Sequence, residues 1–376
     1  MYLLTGRAWK KQKLMNRGMD MKRISVSMIP DEYKNPVPAE QRGILTEESY
    51  RVGNYINAQR QLVTDQNIDS EQAGRKTVSG DPIIKKCCVY LPKGYSENSS
   101  TRYNVLYLLH GVGGNRYEWM GAGKSGDNYI LCNIFDNLIA NGEIDPMIIV
   151  FPEGRSAHDW TDDSFNTAGT NLLGFYYFDY ELRYDLIPFI ESKYRTIADI
   201  RDNSPEGIER SRMHRALGGL SMGGMQTLNL IAGGYRCDST LYTGRVSAWD
   251  NGLDGTVKAP GMLDLFAYIG AFSNAPTSSD GSVIGASIKS CGYKLHLLYT
   301  TCGCDDGIAY DIGYRRAVEG LAEAAGTNLG DFYRVEIKSG QHDFYVWYHG
   351  AYNFVRLSFN EKKSGPWPDI IDISFD

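Results

Sequence analysis

The chain has 376 residues, 42% of them hydrophobic and 22% charged, with a formal net charge of −6 at pH 7. That balance is globular, and the length suits one large α/β domain with extensions or two modest domains. An acidic surplus argues against nucleic acid as the main partner, because phosphate binding needs a basic face, and no apolar run reaches the length of a membrane span.

The N-terminal stretch, residues 1–22, is basic, but Lys10, Lys11 and Lys13 interrupt its apolar residues, so it lacks the apolar core of a secretion signal. The expectation is a flexible leader over residues 1–35 and a cytoplasmic location for the chain as it stands, or secretion if a leader precedes it. Residues 43–52 can make a strand. Residues 54–81 are polar and rich in Gln, Asn and Asp, which reads as a long surface excursion. A strand at 83–91 ends at Pro92 and Gly94. The seven cysteines are an odd number, and the adjacent Cys87 and Cys88 fall on an alternating strand pattern that points them to opposite sides. Cys302-Gly303-Cys304 is too tight for zinc-ligand spacing. Buried free thiols are the reading, and neither a metal nor an organic cofactor is expected.

From residue 103 onward strands and helices alternate. Residues 103–109 form an apolar run of the length and type of a buried strand, and a glycine-rich turn follows. Residues 128–141 carry apolar side chains at helical spacing. Residues 146–151 are the next buried strand, and 155–174 form a second long excursion that holds His158, Trp160, Asp162 and Asp163. A helix is predicted over 178–194, with Leu182, Leu186, Phe189 and Ile190 on one side. Residues 215–218 lead into a turn, with helix over 222–232. Strands at 266–272 and 294–301, a helix at 310–325, a last strand at 332–337 and a closing helix at 344–357 complete the pattern. Such alternation predicts an α/β fold: a mostly parallel sheet with helices on both faces, one domain over residues 36–376, and functional groups at the carboxyl ends of the strands.

The turn after residue 218 carries the chemistry. Gly219-Leu220-Ser221-Met222-Gly223 is a G-x-S-x-G pentapeptide between a strand and a helix. A serine hydroxyl is a poor nucleophile unless it is held exposed beside a base. A sharp strand-to-helix turn lifts it clear of the sheet, and glycines two residues either side let the backbone pack that tightly. Among the six histidines, His342 lies in a turn between the last strand and the last helix, where it can reach over such an elbow, and it is the expected general base. His214 and His296 fall on or beside strands, His349 falls inside a helix, and His158 reads as surface. Asp305 and Asp306 follow the strand at 294–301. Either can orient the imidazole, with Asp306 preferred, although a plain turn or helix cap also uses aspartates. The chain order Ser, Asp, His is that of α/β-hydrolases. Backbone N–H groups of Val112, in the turn Gly111-Val112-Gly113-Gly114, and of Met222 are the expected oxyanion donors, with His110 holding the turn. No P-loop lysine and no ribose-binding acid accompany those glycines, which argues against a phosphate loop.

Six ordered blocks carry a resemblance: VLYLLHGVGG at 105–114, DNLIA at 136–140, PMIIV at 146–150, ALGGLSMGGMQTLN at 216–229, FAYIGAFS at 266–273 and GQHDFYVW at 340–347. From about residue 83 to 359 the chain resembles the esterase D-like branch of α/β-hydrolases, and within it the feruloyl esterases of carbohydrate esterase family 1. The resemblance implies hydrolysis of an ester that joins a hydroxycinnamic acid such as ferulate to arabinose on plant xylan, so the implied partner is a small-molecule or oligosaccharide ester. It carries Ser221, His342 and Asp306 into a catalytic triad and puts Trp347 in the wall of the aromatic acid's pocket. Trp160, in an excursion expected to border the cleft, is a second candidate contact. The chain departs from the family in its two long excursions. Rival functions on the same fold are an acetyl-xylan esterase, an S-formylglutathione hydrolase, an acyltransferase or a non-catalytic binding module.

Overall fold

The computed structural model describes residues 25–58, 62–64, 83–166, 169–236, 257–359 and 369–376. Among these, nine strands form one sheet: β1 (Ile44–Val52), β2 (Ile83–Leu91), β3 (Asn104–Leu109), β4 (Met147–Pro152), β5 (Arg215–Leu220), β6 (Tyr268–Phe272), β7 (Leu295–Gly303), β8 (Leu329–Ile337) and β9 (Asp369–Phe375). Their spatial order is β1-β2-β4-β3-β5-β6-β7-β8-β9. β2 pairs antiparallel with both β1 and β4, and every later pairing is parallel. This is the sheet of an α/β-hydrolase, with functional loops gathered at the carboxyl ends of the central strands.

Alternation along each strand feeds two cores. On β3, Val105, Tyr107 and Leu109 face one layer, while Leu106 and Leu108 face the other. The first layer takes helices α2 (Ile187–Lys193), α4 (Met222–Gln226) and α5 (Gly281–Ser290); the second takes α1 (Ile130–Ala140) and α6 (Phe344–Leu357). A short polar helix, α3 (Pro205–Arg212), starts where the Ser204 side chain accepts the Gly207 N–H at 3.0 Å, a standard N-cap.

Several elements differ from the sequence expectations. The leader expected over residues 1–35 is not loose throughout. Residues 1–24 lie outside the described residues, but Ile29 is buried and the Asn353 amide exchanges hydrogen bonds with the Ser27 backbone, so this stretch is seated against α6. In the excursion at 54–81, Tyr55, Ile56, Leu62 and Val63 are buried, and Ile56 bridges Leu62; residues 59–61 and 65–82 lie outside the described residues. The helix expected over 178–194 contains a π turn at Leu182–Leu186, just before Pro188, which has no N–H to continue an α ladder. The helix expected over 310–325 is broken at Glu319 and Gly320, the latter at φ +70°. The strand at 332–337 is not the last, because β9 adds a parallel neighbour beyond it. Helix α5 was hidden by its glycines and serines. Gly281 and Gly285 are there because a Cβ would come within 2.2 and 2.3 Å of carbonyl oxygens of the segment ending at Ala325.

Candidate active site

Ser221 stands at the junction of β5 and α4 with φ +51° and ψ −116°, a strained conformation for any residue with a side chain. Two flanking glycines permit it. A Cβ on Gly219 would lie 2.4 Å from the Gly223 carbonyl group, and one on Gly223 would lie 2.7 Å from the carbonyl oxygens of Leu109 and His110. The elbow is fastened by Ser221 N–H to Phe272 O at 2.9 Å and by Ala275 N–H to Ser221 O at 3.0 Å.

Asp306 and His342 reach this serine from the loops after β7 and β8. The loop after β7 and the loop after β8 meet backbone to backbone: Asp305 N–H donates to Gly340 O at 3.0 Å, and Cys304 N–H donates to Ile337 O at 2.9 Å. Side chains would prevent the approach, since a Cβ on Gly303 would lie 2.1 Å from Gly340 O. Asp343, next to His342, caps α6 by accepting the Tyr345 and Val346 N–H groups, and this fixes the histidine at the helix entrance.

The resulting geometry is continuous. The Ser221 hydroxyl donates to His342 Nε2 at 3.0 Å, and His342 Nδ1–H donates to Asp306 Oδ2 at 2.7 Å. The other carboxylate oxygen of Asp306 accepts Ile308 N–H at 3.0 Å and Ala309 N–H at 2.8 Å. Burial alone would raise the Asp306 pKa, but the bond and charge of His342 together with the Ala309 N–H outweigh it and hold the carboxyl below its ordinary value. Asp305, the alternative orienting acid, sits in the turn and makes the backbone contact to Gly340 instead.

A cavity of about 350 Å³ opens on the serine. Val112, Leu220, Met222, Phe165, Ile308 and Trp347 give it apolar walls, and Glu118, Ser221 and His342 supply its polar atoms. The two expected oxyanion donors, Val112 and Met222, therefore lie on one cavity with the serine. Gly111 passes so close that a Cβ there would lie 3.0 Å from Ser221 Cβ. Trp347 packs edge-on to the His342 ring at 5.3 Å between centroids, and its buried indole N–H has no partner among the described residues. Trp160 does not line this cavity; its carbonyl accepts from Arg155 Nη2 at 3.3 Å.

None of the other histidines lines the cavity. His110 is buried, and burial lowers its pKa to about 4, so it is neutral; Nδ1 bonds Gly111 O at 2.7 Å. His214 bonds Asn104, and His349 bonds the Tyr345 carbonyl. Among the described residues no His, Cys, Asp and Glu are grouped as a metal site requires, and no helix is long and apolar enough to cross a membrane.

Sequence reasoning missed Glu118, Phe165 and Ile308. Glu118 accepts the Gly111 N–H at 2.6 Å, and its pKa is raised by burial despite that bond. Its signal was faint: an acid beside Trp119 and Met120, seven residues after Gly111. Phe165 and Ile308 remain more than half exposed, which no periodicity marks as functional.

Known proteins share sequence and fold with this chain. A family model described as putative esterase matches residues 85–235. Endo-1,4-beta-xylanase Y of Acetivibrio thermocellus is 40% identical over 159 residues, 42% of this chain and 13% of that protein. Endo-1,4-beta-xylanase/feruloyl esterase of Xylanibacter ruminicola is 32% identical over 241 residues, 63% of this chain and 28% of that protein. The chain thus spans less than a third of the length of these curated relatives. A solved feruloyl esterase module from Clostridium thermocellum, complexed with sinapinate, superposes with a TM-score of 0.57 at 26% identity, covering 91% of this chain and 96% of that one. A CE1 ferulic acid esterase from Anaeromyces mucronatus shares the fold, with a TM-score of 0.58 at 20% identity, covering 90% of this chain and 98% of that one. The chain is thus similar to putative esterases over residues 85–235 and shares its fold with solved feruloyl esterases.

Proposed function

We propose that the protein is a serine carboxylesterase that hydrolyses hydroxycinnamoyl esters, feruloyl esters of plant cell-wall polysaccharide above all. The observation that carries this reading is the apolar cavity of about 350 Å³ into which the hydrogen-bonded Ser221 opens. It lies near the lower end of the range for small-molecule sites, about 300–1,000 Å³. An acetyl group would leave most of it empty, whereas a flat aromatic acid fills it against Trp347 and Phe165. The buried, unpartnered indole N–H of Trp347 would reach an oxygen on such a ring after a small rotation of the side chain. The similarity to a feruloyl esterase module complexed with sinapinate supports the same acyl class.

In this mechanism His342 takes the proton of Ser221 as Oγ attacks the ester carbonyl, and Asp306 holds the imidazole in the tautomer that accepts at Nε2. Backbone N–H groups of Val112 and Met222 receive the oxyanion. His342 then protonates the departing sugar alcohol. Water enters by the same route, the acyl-enzyme is cleaved, and the free acid leaves.

The test is a comparison of kcat/KM on methyl ferulate, p-nitrophenyl acetate and S-formylglutathione. Ferulate preferred over acetate after correction for leaving-group reactivity supports the reading. A preference for acetyl or formyl transfer assigns a small-acyl esterase, and absence of turnover on all three, with a folded protein, assigns a binding module.

A further inference from the structure

We propose that Glu118 and Arg155 are positioning residues that clamp the turn 111–114 from two sides and so aim its backbone N–H groups at the developing oxyanion; this rests on the esterase reading above. Glu118 holds the near end by accepting the Gly111 N–H at 2.6 Å. Arg155 holds the far end by donating from Nη1 to Gly114 O at 2.7 Å. The turn closes on itself between them through Gly114 N–H to Gly111 O at 3.2 Å. Val112 lies inside the closed turn, and Gly111 lies against Ser221.

The fit is tight. The Glu118 carboxylate occupies the space a side chain at 114 would need, 2.1 Å from an ideal Cβ on Gly114. Glu118 is itself anchored: its N–H donates to Asn115 O at 2.9 Å, and the adjacent Trp119 indole donates to Leu109 O at 3.1 Å, at the end of β3. Arg155 is 1% exposed, and its second Nη ties down the Trp160 carbonyl. One guanidinium thus links the oxyanion turn to the excursion that supplies Phe165 to the cavity wall. A buried guanidinium and a partly buried carboxylate on a four-residue turn are more than a glycine loop needs merely to fold. A donor that must meet an oxyanion at hydrogen-bond distance without rearranging does need such fixation.

Reach and charge can be separated at Glu118. Glu118→Gln keeps an oxygen at the same reach without the charge, and Glu118→Asp keeps the charge but falls one methylene short. Rates are read on p-nitrophenyl acetate per active site, counted by the p-nitrophenol burst, with phenylboronic acid as a probe that places a tetrahedral anion on Ser221. The clamp predicts that Glu118→Gln retains kcat within about fivefold while Glu118→Asp loses about ten- to a hundredfold in kcat with little change in KM, and that boronate affinity falls in parallel with kcat. Equal activity in all three proteins overturns the proposal. So does loss in Glu118→Gln with retention in Glu118→Asp, or a fall in kcat with boronate affinity unchanged. Ser221→Ala is run alongside. If it is silent while Glu118→Asp is fully active, only the clamp fails; if it remains active, the esterase reading itself fails.

Discussion

The Nε2 atom of His342 lies 3.0 Å from the hydroxyl oxygen of Ser221, although 121 positions separate the two residues along the chain. The contact depends on backbone more than on side chains. The loops after β7 and β8 touch through Gly303 and Gly340, and that touch delivers Asp306 and His342 to one end of the sheet together.

Gly303→Ala tests this contact. A methyl group would meet the Gly340 carbonyl at 2.1 Å, so the loops must separate. The expected cost is about 1–3 kcal/mol in urea unfolding, as for other overpacked sites. Activity should fall further, by about a hundredfold, because displacement of the base by about 1 Å suffices for that. An active, stable variant would show that the loops need no such closeness.

Asp306→Asn should lower kcat by about 10³–10⁴-fold while leaving the fold intact, because an amide stabilises the wrong imidazole tautomer. The same variant reports on stability. Burial opposes the charged form of Asp306, but the His342 bond prevails and the folded pKa lies below its ordinary value. The folded protein therefore holds that proton less readily than the unfolded chain. The stabilisation is present above the unfolded value of about 3.9 and is lost as pH falls through the lower folded value. Unfolding curves of the wild type and Asp306→Asn should converge as the pH is taken below about 4. A gap that widened on acidification would contradict the assigned direction.

Trp347→Phe keeps an aromatic wall and removes the unpartnered N–H. The expected result is a loss of about five- to thirtyfold in kcat/KM on methyl ferulate, the worth of one hydrogen bond, with methyl cinnamate, which lacks ring oxygens, little affected. Equal losses on both esters would assign Trp347 to packing alone.

Much of the fold was legible because parallel strands buried on both faces read as apolar runs; residues 103–109, 146–151 and 215–218 are examples. The elbow was legible because Gly219 and Gly223 have a steric duty that no other residue performs. Helices were harder. In α5, close packing against the segment ending at Ala325 demands Gly281 and Gly285, which erase the usual helical signature. β9 was missed because its residues alternate in exposure at the sheet edge, beyond a helix that looked like the end of the fold. In the site, Ser221, His342 and Asp306 could be named from loops at strand ends. Glu118 could not, because its partner is a backbone N–H, and sequence does not record which backbone groups lack a partner. Trp160 looked like a cleft residue by composition, yet the cavity is lined by Phe165, five positions on.

Reaction of the whole protein with a fluorophosphonate probe, read by intact mass and peptide mapping, tests the central claim most directly. The account predicts one adduct per chain, on Ser221, absent in Ser221→Ala together with all ester turnover, and slowed in His342→Ala by about 10³-fold or more. An adduct on another residue, or Ser221→Ala that still hydrolyses methyl ferulate, would contradict it.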